Sequence, residues 1–243
     1  MVEKLFILGR PGTGKSTVAR LLKAVAQESG WDTRHIYDYK HLHDMFQQEI
    51  DDHVPVEARL FRQKGPDACQ GFDVREGKFK VLDTVLKQMA DEVREEEQDQ
   101  SGANKLLLIE FARKEYTRAL DIFGYEILKG AHLLYVKLDL ENCIKRVHQR
   151  AIENRCRSEY DHFVSDDIMR GYYSEDDWFS EQFFKYLNTL HTIDVTDGEL
   201  DNSGTDYELE RKVGKIFGKL VNPQPVAVSS TLSHFNQLET AAF

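Results

Sequence analysis

Short apolar runs alternate along the chain with longer segments in which apolar residues recur at helical spacing. Five runs have the length and composition of buried strands: Lys4–Leu8, Thr33–Tyr37, Lys105–Glu110, His132–Leu138 and Leu190–Val195. Helices are predicted over about Lys15–Ser29, His41–Ile50, Gly77–Glu97, Glu115–Lys129, Leu140–Asn154 and Asp206–Leu220. This alternation favours an α/β fold of three layers, in which helices flank a five-stranded parallel sheet.

Three segments depart from the alternating pattern. The stretch Asp51–Phe72 contains several prolines and glycines, and it is predicted to be irregular with one possible helical turn, within an insert at 51–75. The polar and aromatic region of about 150–187 is expected to form a helical lid. Charge nearly vanishes over 221–243, which predicts a flexible tail after a single domain at 1–220.

A glycine-rich loop joins the first predicted strand to the first predicted helix. It reads GRPGTGKS and fits the Walker A pattern G-x-x-x-x-G-K-[ST] at every position. Such a loop can point successive N–H groups at a phosphate, with Lys15 on the β/γ-phosphate oxygens and the Ser16 hydroxyl on Mg²⁺. The sequence therefore predicts a P-loop for a nucleoside triphosphate, formed by Gly9, Arg10, Pro11, Gly12, Thr13, Gly14, Lys15, Ser16 and Thr17.

Two carboxylates end predicted strands at the edge of the sheet where ligands bind. Glu110 follows four apolar residues at the end of the third strand, where a P-loop site needs an acid for Mg²⁺ or its bound water. Asp38 follows the second strand and could accept the proton of an attacking substrate hydroxyl. Asp38 could equally be only the cap of the next helix, because acids commonly cap helix N-termini.

Arginines are the candidate groups for anions. Arg113 lies three residues past Glu110 and could hold an anionic acceptor. Arg146 and Arg150 are four residues apart on one predicted helix face and could stabilise the transferring phosphoryl group, ahead of Arg155 and Arg157 in the next segment. The alternative is a solvated helix flank that pairs with nearby glutamates.

The overall composition excludes some classes of function. The 243 residues carry a formal net charge of −10, which argues against a dedicated duplex-DNA-binding protein. A nucleic-acid partner is therefore not expected. The three cysteines form no C-x-x-C pair, which favours a reducing compartment. The sequence shows no membrane-spanning run and no signal-peptide pattern, so we expect a cytoplasmic protein.

Four segments resemble the P-loop kinases of the nucleoside and nucleotide kinase superfamily, including shikimate-, gluconate- and polynucleotide-kinase-like members. They are GRPGTGKS at 9–16, the strand-end Asp38, LLLIEFAR at 106–113 and LLYVKLDLENCIKRVHQR at 133–150. The resemblance covers about 1–220 and implies an arginine-bearing lid over the triphosphate. The Asp-Gly-x-Pro-Arg and Glu-Arg-Ser patterns of two subfamilies are missing after the third strand, so the subfamily stays open.

Together these features predict an enzyme, a phosphotransferase that uses ATP and Mg²⁺ to phosphorylate a hydroxyl of a small molecule. A nucleoside monophosphate kinase is an alternative, in which Asp38 is only a cap and Arg113 holds the acceptor phosphate. A nucleotide-regulated NTPase that binds a partner protein is another, with 51–75 or the tail as its contact. The sequence does not identify the acceptor.

Overall fold

The computed structural model describes residues 1–64, 71–98, 104–152, 163–189 and 199–221. The strands in these ranges are β1 (Val2–Leu8), β2 (Asp32–Tyr37), β3 (Phe61–Gln63), β4 (Phe72–Val74), β5 (Lys105–Phe111), β6 (His132–Lys137) and β7 (Glu199–Asp201). The helices are α1 (Lys15–Glu28), α2 (Asp38–Asp51), α3 (Val81–Gln98), α4 (Tyr116–Phe123), α5 (Tyr125–Leu128), α6 (Leu140–Ile152), α7 (Asp166–Gly171), α8 (Glu181–Thr189) and α9 (Asp206–Val221).

Five of the described strands form a parallel sheet in the order β2–β5–β1–β6–β7. All seven residues of β5 are buried, as expected for a strand covered on both faces. In the register of β2 and β5, Tyr37 lies opposite Glu110. The residues that follow these two strands therefore meet at one edge of the sheet.

Helices cover both faces of the sheet, which makes three layers. Alternate residues of a strand point to opposite faces, so each strand contributes to two cores. One core packs under α3 and α4 and includes Phe6, Leu107, Ile109 and Leu133. The other packs under α1 and α9 and includes Leu5, Ile7, Leu108 and Val136. The predicted α/β fold with a five-stranded parallel sheet is confirmed.

An antiparallel hairpin, β3–β4, lies in the segment that was predicted to be irregular. Its strands have three residues each, too short for a period to show in the sequence. Tertiary packing fixes them instead: Phe61 and Phe72 are buried, and the ring of Phe72 stacks on that of Phe46 at 4.6 Å. The prediction of an irregular segment is therefore wrong at these strands.

Other boundaries differ from the sequence prediction. The helix predicted over 115–129 is divided into α4 and α5 at Gly124. The fifth strand of the sheet is β7, whereas the strand predicted at 190–195 lies outside the described residues, as do residues 65–70, 153–162 and the proposed tail after 221. Within the described ranges, none of the helices combines the length and the apolar composition that a bilayer crossing requires.

Gly124 separates α4 from α5 because its backbone has φ 80 and ψ 162, a conformation that is essentially restricted to glycine. We predict that Gly124→Ala lowers the free energy of unfolding by about 1–3 kcal/mol through backbone strain. Steric overlap is not the cause, because an added Cβ would meet no atom within 4 Å. Denaturant unfolding monitored by circular dichroism measures the effect.

Gly214 provides the matched control for this substitution. It lies inside α9, and a Cβ there would also meet no atom within 4 Å. Gly214→Ala should raise the free energy of unfolding by about 0.5–1 kcal/mol, because alanine favours the helix. Equal effects of the two substitutions would contradict the assigned role of Gly124.

Candidate active site

The P-loop, residues 9–16, connects β1 to α1 as the sequence predicts. The Thr13 hydroxyl donates to the Arg10 carbonyl at 3.0 Å and closes the turn of the loop. The Gly9 N–H donates to the Tyr116 hydroxyl at 2.9 Å, so the first turn of α4 fixes the start of the loop. The last loop residues, Lys15 and Ser16, already belong to α1, whose N-terminus faces the loop.

Gly12 shows why this loop needs glycine. Its φ is 85, in the left-handed region, and a Cβ would lie 2.5 Å from the Cys143 carbonyl oxygen. Gly14 has φ 96 and packs against the Asn202 side chain. The loop therefore lies in a socket made by α6 and by the residue after β7, with its backbone too close to both for a side chain.

Lys15 is buried at the centre of the site. Its Nζ donates to the Arg10 carbonyl at 3.0 Å within the loop. Burial lowers the pKa of Lys15, whereas the charges of Glu110 and Asp38 raise it and that of Arg150 lowers it further. This cation therefore lies in the electrostatic field of both strand-end carboxylates and of an arginine on α6.

Glu110 bridges the P-loop and β2. Its Oε1 accepts a hydrogen bond from the Ser16 hydroxyl at 2.8 Å, and its Oε2 lies 3.0 Å from Nε2 of His35. Burial raises the pKa of Glu110, but the hydrogen bond of His35, the charge of Lys15 and the hydrogen bond of Ser16 outweigh it and hold that pKa below its ordinary value. The carboxyl group is therefore ionised at neutral pH, and Nε2 of His35 is the donor.

Asp38 lies at the first position of α2, but its side chain does not cap that helix: Tyr37 is the N-cap residue and no side-chain cap bond forms. Its Oδ2 accepts from the Ala112 N–H at 3.1 Å and from Nη1 of Arg113 at 2.6 Å. Both donors follow β5, so the hydrogen bonds cross between neighbouring strand ends. The carboxylate is held at the same sheet edge as Glu110.

Arg113 is buried behind this carboxylate. Besides Asp38, its terminal nitrogens donate to the carbonyl oxygens of Ala112 at 2.6 Å and Leu82 at 3.0 Å. The guanidinium also lies over the ring of Phe111. Arg113 thus faces Asp38 and the backbone, and its described contacts position the acid.

Arg146, one of the candidate residues for the phosphoryl group, lies beside the P-loop. Its Nη1 donates to the Thr13 carbonyl at 3.4 Å, and its Nη2 donates to the Asn202 carbonyl at 2.8 Å. Arg150 is half-buried one turn further along α6. Glu141, the glutamate of α6, pairs with Arg170 and not with either of these arginines. Arg155 and Arg157 lie outside the described residues.

The segment 163–189, part of the proposed lid, is tied to the P-loop through Arg10. Nη2 of Arg10 lies 3.2 Å from Oδ2 of Asp176 and donates to the Ser174 carbonyl at 3.3 Å. The same carboxylate oxygen accepts from the Tyr135 hydroxyl at 2.7 Å, which connects β6 to the pair. The second position of the loop therefore contacts the segment that covers the site.

A pocket opens between the P-loop, the hairpin and α7. Its inner end is lined by Lys15, Ser16, Asp38 and Glu110, so the P-loop groups and both strand-end carboxylates share one cavity. The remaining lining is mainly apolar and aromatic and is contributed by Pro11, Tyr37, Tyr39, Leu42, Phe72, Asp73, Val74, Phe79, Leu82, Ala112, Val164, Ile168 and Tyr173.

The inner end of this pocket fits a triphosphate and a divalent cation. The loop backbone makes a cradle that a Cβ at Gly12 would disturb, and a buried lysine points back into it. The Ser16 hydroxyl and the ionised Glu110 supply hard oxygen atoms of the kind that Mg²⁺ prefers. Thr17 follows in the first turn of α1.

Sequence reasoning missed three residues that shape the site. Tyr116, Asn202 and Asp176 reach the P-loop from α4, from the end of β7 and from the segment after α7. Asn202 donates to the Thr13 carbonyl at 2.6 Å. Their separation from the loop exceeds 100 residues, so no local pattern marks them.

The sequence matches no protein-family model and no curated protein. Solved structures do match its fold. Kti12 from Chaetomium thermophilum, in complex with ADP-AlF3, aligns with a TM-score of 0.50 at 15% identity and covers 90% of this chain and 98% of its own. A gluconokinase from Sinorhizobium meliloti 1021 aligns at 0.48 and 12% identity, covering 99% and 98%. Shikimate kinase from Acinetobacter baumannii, in complex with shikimate, aligns at 0.42 and 14% identity, covering 91% and 93%.

At these identities the likeness concerns the fold alone. The chain has a P-loop kinase-like fold, as indicated by the parallel sheet order, the loop after β1 and the Kti12 alignment. The resemblance inferred from the sequence is confirmed at this level, and the subfamily is not resolved.

His35 should matter for binding of a metal-bound nucleotide because it holds one oxygen of Glu110 and so orients the other. We predict that His35→Ala weakens binding of ADP in the presence of Mg²⁺ by about 10–100-fold, the usual effect of removing such an outer partner. Binding of ADP without Mg²⁺ should change much less. Isothermal titration calorimetry in both conditions measures the two affinities.

His41→Ala is the control for this variant. His41 makes a similar hydrogen bond to a glutamate, Glu92 at 3.1 Å, but between α2 and α3 and away from the P-loop. It should leave the Mg²⁺-dependent affinity unchanged. If both variants bind Mg²⁺ and ADP like the original protein, His35 has no positioning role.

Proposed function

We propose that the protein is a phosphotransferase that moves the γ-phosphate of ATP to a hydroxyl group of a small molecule. The observation that supports it best is the shared pocket of Asp38 and the P-loop lysine. A half-buried carboxylate that does not cap a helix lies beside the phosphate cradle, held by the Ala112 N–H and Arg113. That is where an acceptor hydroxyl would need a base.

On the nucleotide side, the loop N–H groups and Lys15 would hold the β- and γ-phosphates. Ser16 and Glu110 would hold Mg²⁺, which when bound offsets charge on the phosphate oxygens. The present contact of Lys15 with the Arg10 carbonyl is within the loop, so its ammonium can turn to phosphate oxygens without unfolding α1. Its lowered pKa reflects a burial that phosphate charge would offset.

On the acceptor side, Asp38 would accept the proton of the attacking hydroxyl at its carboxylate. Because Oδ2 is occupied by two donors, Oδ1 is the oxygen we assign to the acceptor hydroxyl. Arg113 would keep the carboxylate in this orientation, which revises its expected direct role toward an acceptor. Catalysis would rest on positioning and on charge neutralisation.

Arg146 is the arginine best placed to act on the transferring group, because it already lies against the P-loop at Thr13. Arg150 is one turn away, and its charge reaches Lys15. The covering segment 163–189 would exclude water when substrates bind, and the Arg10–Asp176 pair would couple its position to the loop.

The first alternative, a nucleoside monophosphate kinase, is supported less well. It requires a cation for the acceptor phosphate, and the terminal nitrogens of Arg113 are directed to Asp38 and to two carbonyl groups instead. A nucleotide-regulated protein without an acceptor would share the P-loop but gives no reason for Asp38 to face the pocket.

The test is ADP release from ATP and Mg²⁺ with pooled alcohols, pooled monophosphates or no acceptor. We expect stimulation by an alcohol pool, and Asp38→Asn should lower the stimulated kcat by about 10²–10⁴-fold because the general base is lost. ADP affinity should be preserved, since the Asn side chain keeps an oxygen acceptor for Arg113. Lys15→Ala serves as the blank.

Asp44→Asn is the matched control, because Asp44 lies on the same helix but is exposed and pairs with Lys40. It should retain the stimulated rate. Thermal unfolding of both variants shows that the fold is kept. Stimulation by monophosphates that survives Asp38→Asn would favour the monophosphate kinase, and hydrolysis that no acceptor stimulates would favour the regulated NTPase.

A further inference from the structure

From the walls of the pocket we infer that the acceptor is an alcohol with a largely apolar body and no anionic group, either neutral or cationic. This inference rests on the proposed phosphotransfer and names the substrate class of that same site. Two independent features of the pocket support it: the aromatic rings that line the pocket, and the charges of its lining residues.

Aromatic rings make up a large share of the pocket lining. Five of the lining residues are aromatic, namely Tyr37, Tyr39, Phe72, Phe79 and Tyr173. The rings of Tyr39 and Phe72 are nearly parallel, with an interplanar angle of 9° and centroids 5.7 Å apart. Rings that stack on each other in this way form an apolar wall, which favours a ligand with an apolar body.

The charges that line the pocket are mostly negative. Three carboxylates, Asp38, Asp73 and Glu110, face one lysine, Lys15, among the described lining residues. In the proposed reaction Lys15 is engaged by the phosphates of the nucleotide. An acceptor that carries a carboxylate or phosphate would therefore meet like charge as it approached Asp38.

Asp73 is the most buried of these three carboxylates, and Lys64 and Arg62 offset its charge. Burial raises the pKa of Asp73, but the hydrogen bonds of Lys64 and Ser165 outweigh it and hold that pKa below its ordinary value. Its Oδ2 lies 2.6 Å from Nζ of Lys64 and 3.1 Å from Nη2 of Arg62, and its Oδ1 accepts from the Ser165 N–H.

Three cations beside the pocket are paired with these carboxylates. Lys64 and Arg62 pair with Asp73, and Arg113 pairs with Asp38. Recruiting Arg113 to an anionic acceptor would leave Asp38 without its ion-pair partner, and recruiting Lys64 would leave the buried Asp73 with the exposed Arg62 alone. Among the described residues, the pocket thus discriminates against anions by the arrangement of its own ion pairs.

The test uses three para-substituted benzyl alcohols that share the ring and the CH₂OH group. The second substituent is aminomethyl in the cationic probe, hydroxymethyl in the neutral probe and carboxylate in the anionic probe. Saturation-transfer NMR with the full chain, saturated with ADP and Mg²⁺, measures binding at millimolar probe concentrations. We expect the neutral and cationic probes to bind about tenfold or more tightly than the anionic probe.

Ile168→Lys provides a gain-of-binding variant, because this half-buried residue of α7 lines the pocket. The new ammonium should bring the affinity for the anionic probe up to that for the neutral probe. Asp167→Lys places the same group on the adjacent exposed position of α7 and should leave the preference unchanged. These two variants separate a charge inside the pocket from a change in net charge.

Binding of the anionic probe as tight as that of the neutral one, or no binding by any of the three, would overturn the inference. Equal responses of Ile168→Lys and Asp167→Lys would overturn it as well, because the preference would then not come from the pocket. ADP release with the same probes is recorded separately. Transfer to the anionic probe that depends on Asp38 would reject this substrate class and leave the proposed phosphotransferase standing.

Discussion

The close backbone contact between the P-loop and its surroundings is the constraint on which the rest of the site depends. The Cys143 carbonyl of α6 and the Asn202 side chain after β7 occupy the space that side chains at Gly12 and Gly14 would need. The loop is therefore shaped from outside as well as by its own dihedral angles. This contact requires β6 to lie beside β1 and β7 to lie beside β6, so the parallel strand order is a condition of the phosphate cradle.

The sheet register places Glu110 and Asp38 next to each other, but the two carboxylates have different hydrogen-bond partners. Glu110 lies opposite Tyr37 in the pairing of β5 with β2, and Asp38 is the next residue along the chain. The two acids are thus neighbours at one edge, yet they have different partners: Ser16 and His35 for Glu110, Ala112 and Arg113 for Asp38. Separate donors orient each carboxylate, although both line the same pocket.

The P-loop, the central strands and the position of Glu110 could be predicted from sequence because each follows from a local pattern. The role of Asp38 could not, since an acid after a strand suits both a helix cap and a site. Only the contacts with Ala112 and Arg113, 74 and 75 residues away, distinguish the two. Hairpin β3–β4, β7 and Tyr116 escaped prediction for a related reason, because long-range packing and not local periodicity determines them.

The two ends of the pocket rest on different parts of the fold. The phosphate end is built from β1, α1 and the buried strand β5, which the central sheet holds. Much of the acceptor end comes from the short hairpin and α7, which meet where Asp73 accepts from the Ser165 N–H. Substitutions in the hairpin and α7 can therefore alter which molecule enters without displacing Lys15, Ser16 or Glu110. In the proposed reaction, the central sheet would hold the groups that act on the nucleotide, and the elements at its edge would select the acceptor.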